Sequence, residues 1–283
     1  MIYKKEYLAE SSIRVIAFST IAILAVITLF IFSQGMPFFF GHTVVSMVLG
    51  LVWTPKEGIF GIFPMIVGSI LITIGALTIG VPLGVACAIY LAEFTDKRIR
   101  AILKSTIELL AGIPSVVYGF IGIVVLAPFV RIHLGGSGLS ILTASIVLGI
   151  MILPTIISVS VDALLAVPHS YKEGSLALGA TEWQTICRVL LPAAKSGILA
   201  GVILGMGRAI GETMAVIMIS GNAVKLPRGP LDSVRTLTSN IALEMGYAIG
   251  DHRTALFASA IVLFLFILTL NIIAMSIMKR RLK

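Results

Sequence analysis

The chain has 283 residues, of which 58% are hydrophobic and only 12% charged, with a net charge of +8. A soluble domain carries about one quarter charged residues, so a soluble enzyme or a nucleic-acid-binding module is excluded, and the length suits a single membrane bundle. Cys87 and Cys187 are the only cysteines, both near the side where positive charge collects, so no structural disulfide is expected and Cys87 reads as a small packing residue.

The first apolar run, 15–33, is long enough to cross a bilayer. No small-x-small cleavage site follows it before Gln34, so it is expected to be an uncleaved first span. Residues 34–60 then lie outside. Phe38, Phe39, Phe40 and Trp53 suit the membrane interface, and a short interfacial helix is expected at about 41–51. The second span, 62–92, is longer than a crossing needs. Pro64, Gly80, Pro82 and Gly84 predict a kink or a short preceding helix there. Spans three and four are expected at 107–130 and 139–163. Glu93, Glu108 and Asp162 fall within a turn or two of a membrane boundary. Capping, snorkelling and, for Glu108, a salt bridge to Lys104 four residues earlier account for them.

The stretch Ser170–Pro192, SYKEGSLALGATEWQTICRVLLP, separates spans four and five. It reads as two short helices joined at a glycine. Ser170 with Glu173, and Thr181 with Gln184, have capping-box spacing. Gly179 stands where a glycine would end the first helix, and Pro192 ends the second or opens the next segment.

The fifth span, 193–220, carries the two charges that need explaining. Arg208 falls near the bilayer midplane, where it costs at least about 2.5–3.5 kcal/mol unless it faces a partner or water. Glu212 lies four residues on, on the same face if the helix continues. The pair either fastens helices or lines a hydrated path, and the desolvation cost of fastening with ions favours the path. Gly201, Gly205, Gly207 and Gly211 permit close helix approach or such a path. Residues 222–253 are again external. A turn at Lys225–Pro230 precedes a helix expected from Asp232 to Tyr247, which either caps the external mouth or lies on the lipid surface. The sixth span is 255–278.

Six spans put both termini on one side. Fourteen lysines and arginines lie on that side with the 170–192 loop; Lys56, Arg131, Lys225, Arg228, Arg235 and Arg253 lie on the other. Positive charge marks the cytoplasmic face, so both termini and the loop are expected in the cytoplasm of a plasma (inner) membrane protein. His42, His133, His169 and His252 fall in loops at no ligand spacing, and no phosphate loop, HExxH or GxSxG motif is present. The chain is therefore expected not to be an enzyme and to hold no metal or cofactor.

The loop resembles the cytoplasmic loop of ABC importer permeases: Glu173-Gly174-Ser175, then Gly179, then Val189-Leu190-Leu191-Pro192 keep that family's spacing, with Gly174 and Ser175 in place of two alanines. The stretches Glu108–Gly119, Gly207–Thr213 and Thr236–Ala242 resemble phosphate-specific importer permeases, and Trp53-x-Pro55 with Phe60-Gly61-Ile62-x-Pro64 resembles their C-type subunit. The resemblance implies an all-α, six-span, type I ABC importer permease, with residues 1–60 as an added N-terminal span plus external segment and 61–279 as the permease domain. It also implies partners: an A-type permease sharing the pore, two cytoplasmic ATPase subunits that bind ATP and magnesium, and an extracytoplasmic phosphate-binding protein. On this reading Tyr171, Glu173, Gly174, Ser175, Leu178, Gly179 and Ala180 couple to the ATPase, while Arg208, Glu212 and Thr213 line the substrate pathway. A permease for molybdate or sulfate, and more remotely a proton-coupled secondary transporter, are the alternatives.

Overall fold

The computed structural model describes residues 2–281. Lys283 lies outside them, and the side chains of Lys4, Lys5, Lys279, Arg280 and Arg281 are likewise outside what is described. Among the described residues six helices are long and apolar enough to cross a membrane: Ile13–Gly41, Phe63–Phe94, Ser115–His133, Ile141–Leu165, Glu182–Gly211 and Asp251–Ser276.

In chain order, α1 (Ile2–Gly35) leads to the short helices α2 (Phe38–Gly41) and α3 (Val44–Leu49), the latter within the expected interfacial stretch. A two-stranded hairpin follows, β1 (Trp53–Thr54) with β2 (Ile59–Phe60). The second span is α4 (Phe63–Ile89), which has Pro64 in its first turn and continues through Pro82 without a separate short helix within the span. Its irregularity lies instead at its C-terminal end, a π-helical stretch at Tyr90–Phe94. The amphipathic α5 (Lys97–Ala111) has no buried residue.

The third span therefore starts later than expected. Residues 107–111 belong to α5, and Gly112-Ile113-Pro114 ends it because a residue before proline avoids the helical region. The span itself is α6 (Ser115–Ile121), a π stretch at Gly122–Leu126, and α7 (Ala127–His133). Span four is α8 (Ile141–Leu165). It is followed by α9 (His169–Ala177), α10 (Glu182–Thr185), a π stretch at Ile186–Leu190, α11 (Leu191–Gly211) and α12 (Met214–Ile219). Helix α13 (Leu237–Glu244) and the sixth span α14 (Asp251–Arg281) follow. Two of the three π stretches sit immediately before Pro128 and Pro192. A proline has no N–H to donate and crowds the carbonyl four residues back, and one wider turn relieves both. Pro192 thus opens the next segment, in the first turn of α11, while the span runs on from Glu182 to Gly211 through the π stretch.

Helix α8 is the centre of the bundle, clasped on two sides by glycines. A side chain at Gly75 or Gly80 of α4 would strike Ser145 or Ile152. On the other side Gly201 and Gly205 of α11 lie against Val159 and Ile156. Close backbone approach lets packing, rather than hydrophobic exclusion, hold the spans together in lipid. A second cluster closes the end of the bundle that carries the hairpin, where Phe38, Met47, Trp53 and Phe60 pack with Leu237 and Leu256. The first span joins the body through α14, with Phe30 edge-on to Phe257 at 5.7 Å and Phe32 to Phe264 at 6.2 Å.

Helix α13 is shorter than the helix expected from Asp232 to Tyr247. Asp232 is not helical; its carboxylate accepts from the backbone N–H groups of Arg228 and Gly229 at 2.6 and 3.0 Å, which holds it below the usual carboxylate range. The first four residues of α13 are buried, so this segment caps the bundle and does not lie on the lipid. Cys87 is half-buried rather than enclosed, and Cys187 is exposed; both are free.

Candidate functional site

The turn between α9 and α10 forms as a complete Schellman motif. Gly179 adopts φ +84°, its N–H donates to the Leu176 carbonyl at 2.9 Å, and the Ala180 N–H donates to the Ser175 carbonyl at 3.2 Å. Thr181 and Gln184 make both halves of a capping box. The other expected box is absent. Pro168 already starts the helix, so Ser170 lies inside it and makes no cap. Ser175 Oγ meets Thr185 Oγ1 at 2.9 Å and ties the two helices.

This rigid turn presents apolar side chains outward. Leu178 is 91% exposed and Trp183 63%, with Tyr171 also exposed. Glu173, Gly174 and Gly179 share that surface, while Ser175 and Ala180 are half-buried behind it. A side chain at Gly174 or Gly179 would meet nothing within 4 Å. Trp183 escaped the sequence reading, although a tryptophan in a polar four-residue helix outside the spans was a visible signal.

Arg208 sits deep in the bundle. Gly205, one turn earlier, packs on Ile152 and Ile156 at the middle of α8. The guanidinium is half-buried and donates from Nη2 to the Ala111 carbonyl at 3.3 Å, at the C-terminal end of α5. Tyr118 donates its hydroxyl to the neighbouring Leu110 carbonyl at 2.9 Å. The four glycines divide into two roles: Gly201 and Gly205 serve close packing, whereas a side chain at Gly207 or Gly211 would meet nothing within 4 Å.

Glu212 is not on the face of Arg208, and among the described residues the two form no ion pair. Helix α11 stops at Gly211 and Glu212 turns extended, with ψ 132°, so the i,i+4 geometry never arises. The Glu212 carbonyl accepts from Thr238 Oγ1 at 3.0 Å, and its carboxylate accepts from the Ala215 N–H at 3.1 Å, capping α12. Thr213, half-buried, donates to the Gly211 carbonyl at 3.2 Å. The fifth span is thus broken beside Arg208, at a point tethered to α13. Irregular backbone at membrane depth is tolerated where it is covered by protein or lines water.

The boundary acids are paired. Glu93 takes Lys172 of α9 at 2.7 Å; Lys104 bridges Asp162 and, at 3.8 Å, Glu108. At the end that carries the hairpin and α13, Glu244 is the hub of a buried network the sequence did not reveal. One carboxylate oxygen accepts from Arg235 at 2.7 Å; the other meets Trp53 Nε1 and His252 Nε2, each at 2.8 Å. His133, His169 and His252 lie in helices rather than loops, and the described residues contain no metal-binding cluster.

Residues 80–283 match the family of binding-protein-dependent transport system inner membrane components. A probable ABC transporter permease protein, YqgH of Bacillus subtilis, is 44% identical over 262 residues, covering 89% of this chain and 85% of that protein. The phosphate transport system permease protein PstC of Mesorhizobium japonicum is 37% identical over 244 residues, covering 79% of this chain and 74% of that one. Among solved structures, an inward-facing MetNI methionine ABC transporter superposes with a TM-score of 0.59 at 21% identity, covering 83% of this chain and 99% of that chain. A bacterial ABC transporter that imports alginate gives the same TM-score at 16% identity, covering 93% and 96%. These likenesses establish the type I importer permease fold. With the family match across most of the chain, the protein belongs to the inner-membrane permease components of binding-protein-dependent ABC importers.

Proposed function

We propose that the chain is the C-type permease of an ATP-driven phosphate importer. It shares a pore with a homologous A-type subunit, is moved by two cytoplasmic ATPase subunits docked on the turn between α9 and α10, and receives phosphate from an extracytoplasmic binding protein. ATP and magnesium belong to the ATPase subunits, and this chain needs no cofactor. Both termini face the cytoplasm. The relatives named as phosphate permeases support the substrate; the outward-facing Tyr171, Leu178 and Trp183 around a glycine-closed turn support the docking.

The observation that carries the pathway role is Arg208. It is half-buried at mid-height, beside a glycine face open at Gly207 and Gly211, and held by one long bond. A guanidinium offers a planar fork that matches two phosphate oxygens. Passage also requires that the anion be released. The Ala111 carbonyl, at the negative end of α5, competes for the guanidinium and supplies that weakening. Glu212 acts on the break itself by capping α12, and Thr213 offers a hydroxyl one residue further along.

The test is phosphate uptake per assembled complex in proteoliposomes. Arg208→Gln should lower it by about 10- to 100-fold, the weight of one charged hydrogen-bonding partner. Arg208→Lys keeps the charge without the fork and should be intermediate. Normal per-complex uptake by Arg208→Gln refutes the pathway role, and preferential uptake of labelled molybdate or sulfate in the same vesicles would reassign the anion.

A further inference from the structure

The turn between α9 and α10 is attached to two rigid elements. One is the helix that begins at Glu182 and runs unbroken through α11, so Arg208 rides on it. The other is α5. Lys172 of α9 pairs with Glu93 at 2.7 Å, and the Glu93 side chain is only 11% exposed. Glu93 stands in the π stretch Tyr90–Phe94. Arg100, in the first turn of α5, gathers that end of the second span by donating to the carbonyls of Leu91, Ala92 and Thr95 at 2.7, 2.8 and 2.8 Å. Helix α5 has 15 residues, so it spans about 22 Å at 1.5 Å per residue. Its far end supplies the Leu110 and Ala111 carbonyls that receive Tyr118 and Arg208. The two partners of the Arg208–Ala111 contact therefore sit on separate rods that share one root.

We propose that α5 is the rod that reports the position of the ATPase-docking turn to Arg208, with Lys172, Glu93 and Arg100 as its positioning residues. The inference rests on the docking and pathway roles given above. A tilt of this turn as one rigid body moves its two attachment points, Lys172 and Glu182, by different amounts, so one rod shifts against the other, and the contact between Arg208 and Ala111 is where the difference is felt. The attraction of a helix C-terminus for a cation fades within about one turn, so a small slide is enough to free the guanidinium for phosphate. The π stretch is a suitable yield point, because Arg100, not a following turn of helix, holds its last carbonyls. The side links from α5 to α8 run through Glu108 and Asp162, whose side chains are 54% and 60% exposed. Such exposed links are weak restraints on sliding.

The experiment uses the assembled complex in proteoliposomes with its binding protein, and reads phosphate uptake and ATP hydrolysis together. Glu93→Gln should keep ATP hydrolysis within about twofold of the parent while phosphate moved per ATP falls about tenfold or more, in the range of measured site-to-site couplings. Lys172→Arg preserves the ion pair and should keep the parent ratio. An environment-sensitive label on a cysteine at Leu109, which is 76% exposed on α5, should change signal when the ATPase is trapped with nucleotide and vanadate, and should lose that response in Glu93→Gln. A parent-like ratio in Glu93→Gln, a Lys172→Arg defect as large as that of Glu93→Gln, or a silent label in the parent each overturns the rod. The label reads α5 whether or not Arg208 meets phosphate. Normal uptake by Arg208→Gln with a responsive label would remove the pathway role and leave the rod standing.

Discussion

At the residue scale, Glu244 has the heaviest structural duty among the charges described. Its two oxygens serve three donors from three other parts of the chain: Trp53 in the hairpin, Arg235 before α13, and His252 in α14. Both ion-paired side chains of the Arg235–Glu244 bridge are sheltered, at 18% and 9% exposed. Glu244→Gln keeps the shape but removes the charge and turns one acceptor into a donor. Its amide must then face either Arg235 or the Trp53 and His252 N–H groups, donor against donor. Breaking a buried pair this way costs about 3–5 kcal/mol, somewhat less with partial exposure. The apparent melting temperature of the solubilised complex should drop by several degrees, with Glu244→Asp in between. An unchanged melting temperature would show that the network does not hold the external cap. Arg208 and Glu212 teach a related lesson about reading pairs from spacing. Four residues apart means one face only if the helix continues, and here Thr238 takes the Glu212 carbonyl that the next turn of helix would have used. That bond joins residues 26 apart, so no local pattern could announce it.

At the scale of elements, the turn between α9 and α10 was legible because its determinants are local. A glycine in the left-handed region and a Thr-x-x-Gln box act within a few residues, and both formed as read. The Ser170 box failed to a local rival, since Pro168 set the helix start two residues earlier. The third span's boundary failed for another reason: the last turn of α5, residues 107–111, is as apolar as α6, and only the Gly112–Pro114 break separates them. The glycine turn yields a direct test. A left-handed residue with a side chain costs roughly 1–2 kcal/mol, and Gly179→Val adds a branched side chain to an open surface. The permease should still insert, since no neighbour lies within 4 Å of that position. Phosphate uptake should collapse while the amount of membrane-inserted protein stays constant. Parent-like transport by Gly179→Val would mean that this turn does not carry the coupling.

At the scale of the whole molecule, the two ends of the bundle are chemically different. Helix α8 runs from an end where Ser140 and Ile141 donate to the carbonyls of Ile219 and Asp232 to an end where α9 and Lys172 begin the proposed docking surface. The first end carries the hairpin, α13 and the Glu244 network. The second carries Lys97, Arg98, Arg100, Lys104, Lys172 and Arg188, which the positive-inside bias assigns to the cytoplasm. The orientation follows if this bias holds, and cysteine labelling decides it. In a Cys87→Ala, Cys187→Ser background, cysteines at Gly229 and Gly174 are sterically free, because a side chain at either meets nothing within 4 Å. Gly229→Cys should react with a membrane-impermeant thiol reagent in intact cells. Gly174→Cys should react only after the membrane is opened. The opposite pattern would invert the molecule. It would set the docking turn on the side that has no ATP, and the importer assignment of that turn would fall with it.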